Sequence, residues 1–99
     1  MLARQVTIHG SPGGIDAAVG IQEEHVVPVL RACAGFVAQI FLADRQSGTL
    51  IGTSYWATEA DMLASEAKVE PARQRVARAV IAEVPPDVRI YEVPVFVVA

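Results

Sequence analysis

The chain has a single cysteine, no long apolar run and no cluster of basic residues, and each shortage removes a class of function. Cys33 stands alone among 99 residues, so no internal disulfide can form, and a cysteine-based metal site is not expected. No apolar stretch approaches the roughly 20 residues of a membrane-spanning helix. The first ten residues, MLARQVTIHG, lack a charged segment followed by an apolar run. The sequence thus predicts no signal peptide, no membrane partner and a cytoplasmic location. The eight Lys and Arg are scattered and the formal net charge is −3, which leaves no electrostatic footprint for nucleic acid.

What is present is apolar mass. Hydrophobic residues make up 53% and charged residues 19%, in a chain whose length is that of one domain, residues 1–99. A domain this small has much surface to cover, and oligomerisation is one way to hide the surplus. No repeat, low-complexity segment or linker interrupts the chain.

Periodicity places the elements. Val6 and Ile8 alternate with Gln5, Thr7 and His9, which predicts a strand near 2–9. GSPGG at 10–14 breaks it, with Ser11 and Pro12 suited to a helix cap and first position. A helix is expected over 13–32, burying Ile15, Ala18, Val19, Gln22, Val26, Val29, Leu30 and Cys33 and kinked by Pro28. Residues 35–44 and 49–57 read as a hairpin around RQSG. Thr58 starts a second helical region, which Pro71 is expected to divide and PPD at 85–87 to stop. The last strand is expected over 88–99, at a sheet edge because Pro94 donates no ladder bond.

The order βαββαβ predicts an α+β, ferredoxin-like fold with a four-stranded antiparallel sheet and both helices on one face. The other face then needs a cover, and the apolar end VPVFVVA is an exposed edge. A homodimer through the sheets, with the C-terminal strand reaching the partner, answers both needs. RNA-recognition domains share this element order, but the second and third strands lack their basic–Gly–aromatic signature.

Residues 34–66, AGFVAQIFLADRQSGTLIGTSYWATEADMLASEA, carry a resemblance. A Gly–Phe pair (Gly35, Phe36) opens one strand, and the next ends in Trp56 before a helix rich in Ala, Met and Leu. This resembles the antibiotic biosynthesis monooxygenase-like family of dimeric α/β barrels. The resemblance implies a homodimer whose two sheets close into a barrel, with a pocket between sheet and helices in each subunit. It also implies a cofactor-independent monooxygenase acting on an aromatic or polyketide-like substrate, with no cofactor. The haem-degrading branch of the family uses an Asn, a strand-end Trp and a His on the second helix. Trp56 matches the second of these. The chain contains no Asn, and Glu66 stands ten residues past Trp56, where the His would be. Haem degradation is therefore not expected.

Trp56 and His25 are the catalytic candidates. Trp56 would wall the pocket beside a substrate ring, or anchor the core as a large strand-end side chain. His25, at the margin of the first helix's buried stripe, would serve as a general base if it faced the pocket, or as a boundary residue. Strand alternation puts Trp56 on one face with Phe36, Ile40, Leu42 and Leu50. It puts Tyr55 on the other, with Ile51, Thr53, Gln39, Gln5, Thr7, His9 and Tyr91. Phe36, His9, Tyr55 and Tyr91 are candidates for contact with a small apolar or aromatic ligand, or for an interface network. Arg73, Arg75, Arg78, Glu23 and Glu24 read as solvated helix faces. The competing reading is a non-catalytic dimeric module that binds a ligand or supports another protein.

Overall fold

The computed structural model describes residues 1–99. Four strands form one antiparallel sheet in the order β2-β3-β1-β4: β1 (Leu2–His9), β2 (Phe36–Asp44), β3 (Thr49–Trp56) and β4 (Asp87–Glu92). Helices α1 (Ile15–Ile21), α2 (Val27–Ala32) and α3 (Glu59–Ala79) pack on one face of it. The ferredoxin-like plan expected from element order is the plan found. No helix is long and apolar enough to cross a membrane.

The hairpin turns where the polar stretch predicts. Asp44 Oδ1 accepts from Gln46 N at 3.0 Å, and Gly48 closes the turn with φ +82°, a left-handed conformation that a side chain disfavours. Thr58 caps α3, its Oγ1 accepting from Asp61 N at 3.1 Å. Ser11 occupies a cap position, but its side chain makes no capping bond.

Several expectations are corrected. Pro71 does less damage than the sequence suggests, while Pro28 does interrupt its helix. Pro28 lacks an amide and its ring crowds the carbonyl four residues back. The first helical region absorbs this by widening into a π-helical segment, Gln22–Val26, in which Val27 N reaches back to Gln22 O. Pro71 does not divide α3, which runs on through it. Val69, Ala72 and Arg73 are buried on both sides of the proline, so packing holds the turn that the missing bond would loosen.

The chain also leaves α3 earlier than PPD predicts. Gly10 comes so close to Val80 that any Cβ there would collide with it. Ser11 N donates to Val80 O at 2.6 Å, and Ile81 turns left-handed at φ 55°. The last strand ends at Glu92 instead of Ala99. Leu2 pairs with Glu92 and Val93 N donates to Met1 O, so β1 offers no further partner. The tail instead crosses the open side of the sheet, where Phe96 packs on Tyr55 with ring centroids 5.0 Å apart.

The register correction matters most. The β2–β3 pairing shifts between Phe36 and Ala38, a bulge that leaves Val37 without a register partner on β3. One extra residue exchanges the two faces for everything that follows. Phe36 still shares a face with Trp56. Ile40 and Leu42 pair with Thr53 and Ile51 on the open side, and Gln39 pairs with Ser54 on the helix side.

Candidate functional site

The helix-facing side of β1 carries a charge where a core would be expected. Arg4 shares parity with Val6 and Ile8 and is 3% exposed. Its Nη1 donates to Met62 O at 3.2 Å, Ser65 Oγ at 3.0 Å and Glu66 Oε2 at 3.0 Å. Glu66 is shared with a second buried guanidinium. Arg73 Nη1 meets Glu66 Oε1 at 2.6 Å and Glu70 Oε2 at 2.7 Å, while Nη2 meets Glu66 Oε2 at 3.0 Å. Two cations and two carboxylates thus close a neutral network, the condition under which buried charge is tolerable. Arg73, expected on a solvated face, is buried in it.

Burial lowers the Arg4 pKa from its usual value, with the nearby Arg73 adding to the effect and Glu66 opposing it. The Arg73 hydrogen bond holds the Glu66 carboxyl below its usual range, against partial burial. Beneath Arg4 lies Trp56, which is fully buried, with its ring centroid 5.2 Å from the guanidinium carbon. That is a cation–π distance. Trp56 Nε1 donates to Ser54 Oγ at 2.9 Å, and Phe36 meets the indole edge-on at 5.5 Å.

Above this floor, between sheet and helices, is a partly open cavity of about 40 Å³. That is room for roughly three water molecules. Arg4, Val6, Gln22, Gln39, Phe41 and Gly52 are among its lining residues. Gln22 Nε2 donates to Gln39 Oε1 at 2.8 Å across it. Arginines are the only ionisable residues on the lining, so the cavity can hold an anion or oxyanion but offers no proton acceptor.

The six residues singled out from the sequence do not converge. Trp56 and Phe36 lie together on the covered side, below the cavity floor. Tyr55 and Tyr91 flank Ala3 on the open side, and His9 lies farther along that face beside Thr49. His25 lies on the helical surface, its Nδ1 3.3 Å from Arg75 Nη1, and is absent from the cavity lining. Sequence reasoning missed Arg4, Gln39, Glu66 and Arg73. Two signals were present. Arg4 has the parity of Val6 and Ile8, and Gln22 is a polar residue inside an apolar stripe.

No family model matches the chain. Two proteins of Mycobacterium tuberculosis are similar in sequence. The uncharacterized protein Rv2558 is 40% identical over 75 residues, covering 76% of this chain and 32% of the relative. The uncharacterized protein Rv2557 is 39% identical over 75 residues, with 34% of it covered. The chain therefore spans about a third of the length of these curated relatives.

Solved structures match over nearly the whole fold. A Streptomyces coelicolor monooxygenase, ActVA-Orf6, solved with nanaomycin D, superposes with TM-score 0.80 at 14% identity, covering 99% of this chain and 91% of that one. The Nitrosomonas europaea protein of unknown function NE2512 gives 0.79 at 21% identity, covering 99% and 93%. SnoaB, a cofactor-independent oxygenase of Streptomyces nogalater, gives 0.63 at 14% identity, covering 96% and 92%. The likeness read from Gly35, Phe36 and Trp56 holds at the level of the fold: this chain has the fold of the antibiotic biosynthesis monooxygenases.

Proposed function

We propose that this chain is a homodimeric ligand-binding protein of the monooxygenase fold, whose cavity between sheet and helices takes a small organic molecule. The observation that carries this reading is the cavity, in which apolar walls surround two buried cations, Arg4 and Arg73, and one amide pair. That composition is typical of small-molecule sites. In this reading Trp56 and Phe36 are the aromatic base under Arg4. Tyr55, Tyr91 and His9 belong to the face that meets a second copy. Ile40, Leu42 and Tyr91 on that face are each about half exposed, which supports a covering partner.

The names of ActVA-Orf6, a monooxygenase, and SnoaB, a cofactor-independent oxygenase, suggest a second reading, oxygenation without a cofactor, to which the resemblance at residues 34–66 adds an aromatic or polyketide-like substrate. Such a reaction needs an ionised, electron-rich substrate that reacts with dioxygen directly. Arg4 would hold the substrate's oxyanion. Two features favour binding over turnover. The lining holds no group to take the substrate's proton, because His25 is elsewhere. A space of about 40 Å³ is also far below the several hundred Å³ of most drug-sized sites.

Incubation with dihydroxyanthrones in air, following dissolved oxygen and the fluorescence of the single tryptophan together, separates the readings. Neither oxygen uptake nor saturable quenching by the anthrones is expected, because a tricyclic is far larger than the cavity, whereas a small organic acid should quench saturably without oxygen uptake. Oxygen uptake that disappears in Trp56→Phe would instead establish the enzyme.

A further inference from the structure

Arg4 leaves part of its hydrogen-bonding capacity unused. All three of its bonds to the chain leave from Nη1. Nε and Nη2 have no partner in the chain, yet no fully enclosed side-chain nitrogen or oxygen is left without one. The two free nitrogens therefore keep some contact with open space, and Arg4 is one of the residues lining the cavity. Nε–H and the adjacent Nη2–H are parallel donors on one edge of the guanidinium, the edge that matches the two oxygens of a carboxylate. The residue itself is fixed by Met62, Ser65 and Glu66 on one side and Trp56 below, so that edge is preorganised.

Size agrees with this chemistry. Room for roughly three waters, partly open to the outside, suits a carboxylate on a short aliphatic chain and nothing much larger. The space depends on Gly52. A Cβ built there meets Phe41 Cδ1 and Gln39 Nε2 at 3.5 and 3.6 Å, ordinary contact distances. No steric demand requires glycine at this mid-strand position, and its effect is to keep the cavity open.

We infer that the cavity is a receptor for the carboxylate of a short-chain organic acid, held side-on by Nε and Nη2 of Arg4. This rests on the reading of the cavity as a ligand site and adds the class of ligand. Val26, Leu30 and Val69 on the walls receive the aliphatic part. Gln22, Gln39, Ser54 and Arg73 carry the remaining polar side chains on the lining. A neutral amide of the same shape can accept through only one oxygen and carries no charge, so the site separates acid from amide.

The test is a titration of the protein with propionate and with propionamide, at constant ionic strength. The readouts are the ¹⁵N-resolved signals of Trp56 Nε1–H, unique in the chain, and Arg4 Nε–H. Propionate is expected to shift both and to bind roughly tenfold or more tighter than propionamide, the usual effect of adding a charge-assisted bond. Arg4→Lys keeps the charge but loses the fork, and should reduce that preference. Gly52→Ala, which the geometry tolerates, should weaken propionate roughly fivefold or more by filling the cavity. Equal binding of acid and amide overturns the inference and leaves the ligand-site reading standing. Silence of both signals with both compounds overturns the two together. Undiminished propionate binding in Gly52→Ala places the anion elsewhere and overturns the inference alone.

Discussion

Each face of this sheet departs from the ordinary distribution of polarity. The helix-covered face holds Arg4, Ser54 and Trp56 at 3%, 4% and 0% exposure, with Arg73 and Glu66 above them. The open face presents Ile40, Leu42 and Tyr91 at 50%, 53% and 48%. Charges usually lie outside and aliphatic chains inside. On the covered face the buried charge is tolerated because every charge has a partner, and the pairing fixes how α3 sits on β1. The open face has no such compensation within one chain. Apart from Phe96 on Tyr55, little of the molecule shields it. One face is thus completed by intramolecular pairing, and the other is shaped for something apolar to cover it.

Substitutions can break this contrast in graded steps. Trp56→Ala should have the largest effect, since it empties the base of the covered face. A loss of about 3–5 kcal/mol is expected, read as a lower urea midpoint. That is a large fraction of a typical domain's stability. Glu66→Gln comes next. It leaves two buried guanidiniums with one carboxylate, and a partly exposed Glu should cost roughly 2 kcal/mol, less than a fully buried partner would. The same pair gives a pH dependence. Because the folded-state pKa of Glu66 lies below its unfolded value, its stabilisation is fully present above the unfolded pKa. It is lost as pH falls through the folded value. Denaturation midpoints at pH 6 and pH 3 should therefore differ less in Glu66→Gln than in the parent. Thr58→Ala removes the cap of α3 and should cost about 1 kcal/mol without touching either face.

The open face should respond least in stability and most in assembly. Leu42→Glu should shift monomer stability by only about 0.5 kcal/mol or less. In light scattering coupled to size-exclusion chromatography it should convert a dimer to a monomer. A monomeric parent protein would remove the idea that a second copy covers this face.

Much of the fold could be read from local patterns. Alternation at Val6 and Ile8, the RQSG turn and the Thr58 cap each marks an element by its own chemistry. The faces could not be read so directly. The bulge at Val37 adds a single residue with no composition signal of its own, and it moves Ile40 and Leu42 to the side opposite Trp56. The site was less legible still. Arg4 looks like a terminal surface charge until Glu66, 62 residues away, is placed against it. Arg73 lies on a helix among other arginines, and only packing tells it from Arg75 and Arg78. The packing of Trp56 with Phe36 was legible as core, because large aromatics at strand ends mark a core whatever the partner is.

The sequence by itself determined the order and kind of the elements, because turns, caps and hydrophobic periods act over a few residues. It also determined that apolar surface would exceed what 99 residues can enclose. Tertiary structure alone decided which face each β2 side chain joins, since parity depends on a pairing register. It alone made Arg4 a buried cation with free donors beside a cavity, since carboxylates, indole and open space meet there only after β1, β3 and α3 have packed.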